Sequence, residues 1–194
     1  MHSKHVQLFH CAAVLVAALA LFSGAAGAQQ LGSPATVEGT YELFICRDDC
    51  KGNDYARAYV FGRLVLRLDT ITIREIPAAQ RRHFEFARPM FEGANGCFAL
   101  YPLHKRSDSY AGIQPAGLIH WRRDSTGTVR LNLYESPDAW YMVALNPGPQ
   151  ELRGHGTSFG AGAAEIHAPA DSVVARRIGA PDLSPCIAAA RARK

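Results

Sequence analysis

Apolar and polar residues alternate along much of the chain. Val60, Gly62, Leu64, Leu66 and Leu68 share one face of an extended segment, while Arg63, Arg67 and Asp69 lie on the other. Val129, Leu131 and Leu133 alternate in the same way with Arg130, Asn132 and Tyr134. Shorter cases are Tyr41, Leu43 and Ile45 around Glu42, Phe84 and Phe86 around Glu85, and Phe98 and Leu100 around Ala99. A period of two places successive side chains on opposite faces, which marks strands that bury one face and wet the other. Residues 71–76, 118–123, 141–145 and 173–178 are predicted as further strands.

Turn formers punctuate these segments at Asp49–Asp54, Glu92–Gly96, Asp124–Gly127 and Asn146–Pro149. Asp124–Gly127 joins two alternating segments and is the strongest hairpin signal. Only Ala78–Arg82 and Ile187–Arg193 are expected to be helical, with Pro181 and Pro185 delaying the second. Two long irregular stretches remain, His104–Gln114 and the glycine-containing Gly154–Asp171. The expected class is all-β, an antiparallel β-barrel of about eight or nine strands, with a two-sheet β-sandwich as the alternative. A membrane barrel fits less well, because one face carries Arg63, Arg67, Glu85 and Arg130.

The first 28 residues stand apart. Lys4 precedes an apolar run from Cys11 to Phe22, and Ala26-Gly27-Ala28 has the small-residue form of a cleavage site. The run is shorter than the roughly 20 residues that a spanning helix needs. The expectation is a secretory signal peptide over residues 1–28, one barrel domain over 29–186 and a short basic tail over 187–194. Localisation is expected to be periplasmic or secreted, with no membrane span after processing.

Four cysteines remain beyond the leader: Cys46, Cys50, Cys97 and Cys186. An even number in an exported chain implies two disulfides, for which three connectivities exist. The favoured pairing joins Cys46 to Cys50 across a tight polar turn and Cys97 to Cys186 over a loop of about 90 residues. A redox role for Cys46 and Cys50 is disfavoured by their C-x3-C spacing.

The formal charge of the whole chain is +4, and the leader takes one positive charge with it. Such a mild excess gives no nucleic-acid footprint. The pairs Arg81-Arg82, Arg122-Arg123 and Arg176-Arg177 are interspersed with acidic residues and read as solvated faces.

Gly39-Thr40-Tyr41 resembles the G-x-W start of the lipocalin family, with Tyr41 in place of the tryptophan. The positions of Cys97 and Cys186 are similar to the disulfide of many lipocalins. Arg176 and Arg177 fall where such a barrel has an arginine across its closed end. The resemblance implies a calycin-type, ligand-holding barrel and carries over no binding residue.

Candidate chemistry is sparse. Gly156-Thr157-Ser158-Phe159-Gly160 matches G-x-S-x-G, which in hydrolases sits on a strained strand-to-helix turn. No alternating β and α pattern surrounds it here. A Gly-rich loop with positive φ and close backbone approach is the reading preferred for it. His155, Glu165 and His167 are a weak zinc triad, and Asp48, Asp49, Asn53 and Asp54 an oxygen-rich turn without calcium-loop spacing. No catalytic residue, metal site or cofactor is assigned, and enzymatic activity is disfavoured. Trp121, Trp140, Tyr141, Phe84, Phe86 and Phe98 are the candidate lining of an apolar pocket at a barrel mouth.

Two functions follow as expectations. The first is binding of a small apolar or amphipathic ligand within the barrel. The second is an envelope protein-interaction module, an inhibitor or assembly factor, presenting its loops from a filled barrel.

Overall fold

The structure is a computed structural model that describes residues 37–47, 50, 57–81, 93–102, 116–136, 139–160 and 170–191. The leader lies outside these residues, as do Phe84, Phe86, Asp48, Asp49, Asn53, Asp54, Glu165, His167 and the stretch His104–Gln114.

Nine strands form one antiparallel sheet: β1 (Gly39–Cys46), β2 (Val60–Leu66), β3 (Gly96–Pro102), β4 (Ala116–Ile119), β5 (Trp121–Arg123), β6 (Val129–Ser136), β7 (Ala139–Pro147), β8 (Glu151–Gly160) and β9 (Asp171–Gly179). Their order is β4-β3-β2-β1-β9-β8-β7-β6-β5. The two end strands, β4 and β5, are halves of one extended run separated only by His120. The upper half pairs with β3, from Ala99 opposite Ala116 to Gly96 opposite Ile119. The lower half pairs with β6, from Trp121 opposite Leu131 to Arg123 opposite Val129. The strand thus changes partner at His120, and the sheet curls into a nearly closed up-and-down barrel.

Closure follows from alternation. Inward positions Tyr41, Leu43, Ile45, Leu64, Phe98, Leu131, Val143, Leu145, Leu152, Val173 and Ala175 form one buried cluster. The outer face of β2–β4 is buried as well. There Val65, Cys97, Ala99 and Leu118 meet Ile71, Ile76, Cys186, Ala189 and Ala190, so the C-terminal helix Ser184–Arg191 covers this wall. The Cys97–Cys186 disulfide fastens the helix to β3, and Cys46–Cys50 closes the turn after β1. Both bridges match the favoured pairing.

Several local expectations are corrected. Residues 71–76 contain a 3-10 turn, Ile73–Glu75, not a strand. The Glu75 carboxylate accepts from the Thr72 backbone N–H (2.7 Å), and the Glu75 N–H donates to the Thr72 carbonyl (3.0 Å). This reciprocal capping defeats extension, and the Thr72-x-x-Glu75 spacing encodes it. β2 stops at Leu66, so Leu68 is half exposed, with its N–H donating to Glu38 Oε1. Residues 154–160 belong to β8, not to a loop, and the described glycines with positive φ are Gly93 and Gly127. Within the motif, the close neighbour of Gly156 is a side chain and not backbone: a Cβ there would overlap the Tyr141 ring and hydroxyl. The second helix begins earlier than expected, at Ser184, because a proline in the first turn loses no helical hydrogen bond. The Asp182 carboxylate accepts from the Ser184 N–H and hydroxyl and caps that start.

Candidate functional site at the upper end of the barrel

The upper end is where β1, β3, β6 and β8 finish. The inward residue that opens β9 there is Asp171, opposite Gly156 of β8. Two tyrosines converge on it. Tyr59 precedes β2 and donates its hydroxyl hydrogen bond to Asp171 Oδ2. Tyr141, on the inner face of β7, donates to the same oxygen at 3.0 Å. Oδ1 receives neither bond. A Cβ on Gly156 would overlap the Tyr141 hydroxyl, so a residue without a side chain is needed for Tyr141 to reach Asp171. Asp171, Tyr59 and Ser158 are half-buried at this end.

Burial lifts the Asp171 carboxyl above the ordinary carboxylate value, against the lowering influence of the Tyr59 and Tyr141 hydroxyls and the positive charge of Arg47. The Arg47 guanidinium stands 5.9 Å from the centre of the Tyr59 ring, on its face. Ile45, Val60, Leu133 and Val173 lie beneath this polar group on the inner wall, all buried.

Farther down, the interior is filled by side chains. Leu64, Leu66, Phe98, Leu145 and Leu152 have no exposed surface. Eight or so strands enclose a space that side chains of this size can occupy completely. At the lower end Tyr41 donates to the Val37 carbonyl at 2.5 Å and stands opposite Arg177 of β9. Burial pushes the Tyr41 hydroxyl up to about 12, with the Arg177 charge opposing.

The four described aromatic residues of the expected pocket lining, Trp121, Trp140, Tyr141 and Phe98, lie apart from one another. Of these four, Tyr141 reaches the upper end. Phe98 is buried in the middle, against Gly117, whose missing side chain makes room for the ring. Trp121 lies at the lower end, where its Nε1–H is shared between the carbonyls of Arg67 (2.9 Å) and Asn95 (3.0 Å). Trp140 is on the outer wall, stacked on Phe159 with ring centres 6.1 Å apart. Consecutive residues of a strand point to opposite faces, so Trp140 and Tyr141 cannot both line the interior. Phe84 and Phe86 lie outside the described residues.

Ser158 sits within β8, opposite Tyr141, rather than on a strand-to-helix turn. His155, on the opposite face of β8, pairs in register with Ala144 on the outer wall. Among the described residues no three His, Cys, Asp or Glu side chains gather as metal ligands. The arginine pairs split between separate roles. Arg81 donates to the carbonyls of Ile73 and Ile76, Arg123 to that of Gly127, and Arg176 to Glu42.

Asp171 and Tyr59 were not legible as a site. Tyr59 precedes the alternating run of β2, and Asp171 stands at the edge of a glycine- and alanine-rich stretch. The one available signal was a carboxylate two positions before the inward residue Val173, which extends the inner face by one polar group.

Comparison with family models, curated proteins and solved structures finds no match for this chain. The fold and the site define the class: a nearly closed up-and-down antiparallel β-barrel with a filled interior and a half-buried carboxylate at one end. No helix among the described residues is long and apolar enough to cross a membrane.

Proposed function

We propose that this chain is an exported, periplasmic or secreted barrel that binds a small amphipathic ligand at its upper end. One observation carries the reading: above the apolar inner residues Ile45, Val60, Leu133 and Val173, the Asp171 carboxylate is oriented by two tyrosine hydroxyls that both use Oδ2. A half-buried polar group above an apolar surface suits a ligand with one polar and one apolar end. Ile45, Val60, Leu133 and Val173 form the buried apolar layer beneath the carboxylate, and the filled core below limits the ligand to a shallow seat. Two disulfides suit an oxidising compartment. The lipocalin resemblance also supports the reading through Tyr41 opposite Arg177 and the Cys97–Cys186 bridge.

The test is a fluorescence titration with N-phenylnaphthylamine, a neutral amphiphile. Saturable one-to-one binding is expected, competed by short-chain amphiphiles. Non-saturable or absent binding overturns the proposal.

The filled interior favours a second reading, an envelope interaction module that acts through its surface. The stacked pair Trp140 and Phe159, with Met142 exposed beside them, would then form part of the contact.

A further inference from the structure

The run that serves two partners meets β3 at Asn95, the residue just before Gly96. Each polar group of Asn95 is engaged there. Its N–H donates to the Ile119 carbonyl (3.1 Å), and its carbonyl accepts from the Arg67 N–H (2.8 Å) and the Trp121 indole (3.0 Å). The side-chain Oδ1 accepts from the Trp121 N–H (2.9 Å) and Nδ2 donates to the Trp121 carbonyl (3.2 Å). A carboxylate could accept the first of these but not donate the second. Gly96 is fixed for a different reason. A Cβ there would lie 2.7 Å from the Val65 carbonyl and 3.0 Å from the Ile119 side chain. The seam thus demands an amide followed by a glycine, and Asn95-Gly96 is the one Asn-Gly pair in the chain.

Such a pair is chemically labile. The backbone nitrogen of the following residue attacks the asparagine side-chain carbonyl, and glycine hinders the attack least because it has no Cβ. In the fold the reaction is blocked, since Trp121 holds the Asn95 amide and Gly96 stands in register between Leu66 and Ile119. Attack requires the amide to leave Trp121 and turn back onto the Gly96 nitrogen.

We propose that Asn95 is a spontaneous deamidation site, gated by opening of the seam between β3 and the β4–β5 run, and that its modification leaves the seam weakened. When the seam opens, a bond forms between the Gly96 nitrogen and Asn95 Cγ. The Cγ–Nδ2 bond breaks, and ammonia leaves with the Gly96 amide proton. Water then opens the cyclic imide at either carbonyl, giving aspartate or isoaspartate, and no other reactant is needed. Aspartate at neutral pH sets an acceptor against the Trp121 carbonyl, where Nδ2 had donated. Isoaspartate adds a methylene to the backbone and displaces the carbonyl that the Arg67 N–H and the Trp121 indole share. Either product hinders reclosure. The proposal is independent of ligand binding at the upper end.

The experiment is peptide mapping by mass spectrometry after incubation of the processed, disulfide-bonded protein in mildly alkaline buffer across a urea series. Conversion of Asn95 in the native protein is expected to be slower than in the unfolded protein by roughly tenfold or more. It is expected to rise severalfold at urea concentrations below the global transition, because the seam opens locally. Trp121→Phe removes the indole donor and keeps both backbone groups, and is expected to speed conversion without urea. The wild-type series carries the test should this variant fold poorly. Equal native and unfolded rates, conversion that follows global unfolding alone, or no conversion even when unfolded overturns the gated site. Converted protein, separated by ion exchange, is expected to unfold at lower urea than unconverted protein, and equal stability overturns the weakening.

Discussion

Asp171 is held in the fold against an electrostatic cost, and the sign of that cost gives a prediction. Burial raises its folded-state value above the unfolded one. The stability it contributes is therefore full below the ordinary carboxylate value and falls as pH rises through the folded-state value. Asp171→Asn keeps an oxygen to accept from both tyrosines and removes the charge. The variant is expected to unfold at higher urea than wild type at neutral pH, with the gap closing in acid. A gap of the same size at both pH values would sink this account. Acid also weakens the rest of the protein, which is why variant and wild type are compared at each pH. The Thr126 hydroxyl and Arg130 hold the Asp124 carboxyl below its ordinary value, and Ser184 does the same for Asp182. The stability of such groups is lost as pH falls, opposite to Asp171.

The barrel's closure depends on a single strand serving two partners, and Asn95 makes the exchange possible. β3 begins at Gly96, so the run from Ala116 to Arg123 outlasts it. Below that point the Asn95 side chain takes over from the backbone. Its Oδ1 accepts from the Trp121 N–H (2.9 Å) and its Nδ2 donates to the Trp121 carbonyl (3.2 Å). An amide side chain has the same donor and acceptor as a peptide and so extends the ladder by one rung. Asn95→Ala leaves both Trp121 backbone groups half-buried without these partners. A loss of roughly 1–3 kcal/mol in equilibrium unfolding is expected, with faster hydrogen exchange at the Trp121 amide. An unchanged exchange rate would mean that the neighbouring strands alone hold the seam. The Asp124–Gly127 hairpin was legible because its turn is local: Gly127 has φ 88° and the Asp124 side chain accepts from the Thr126 and Thr128 N–H groups. The Asn95 rung was not, because it spans 26 residues and looks in sequence like an ordinary turn asparagine.

For the molecule as a whole, the C-terminal helix is the part least secured by the sheet's own hydrogen bonds. It sits on the outer wall of β3 and β4 through Ala189, Ala190 and Cys186, and one covalent bond ties it there. The bridge separates its cysteines by 89 residues, and chain entropy assigns a loop of that size about 4–5 kcal/mol. The double variant Cys97→Ala, Cys186→Ala is expected to lose most of that in urea unfolding and to expose Leu118 and Val65. Retained stability would show that the alanine face docks the helix unaided. Amphiphile binding at the upper end is expected to persist in this variant, since the helix packs on the outer wall of β3 and β4 while Asp171, Tyr59 and Tyr141 meet on the inner side.

Alternation in the sequence determined β1, β2, β3 and β6 with their inward faces and hence the all-β class, because the choice between water and core repeats locally every second residue, whereas the glycines of β8 hid it. The four cysteines that form the two bridges were legible by residue type alone. Folding in three dimensions decided which inward residues meet: Trp121 went to the lower end, Phe98 to the middle, and Trp140 to the outside. It likewise brought Tyr59 to Asp171 across 112 positions. Height along a barrel depends on strand register and tilt, which arise from pairing between distant segments and leave no trace in any one of them.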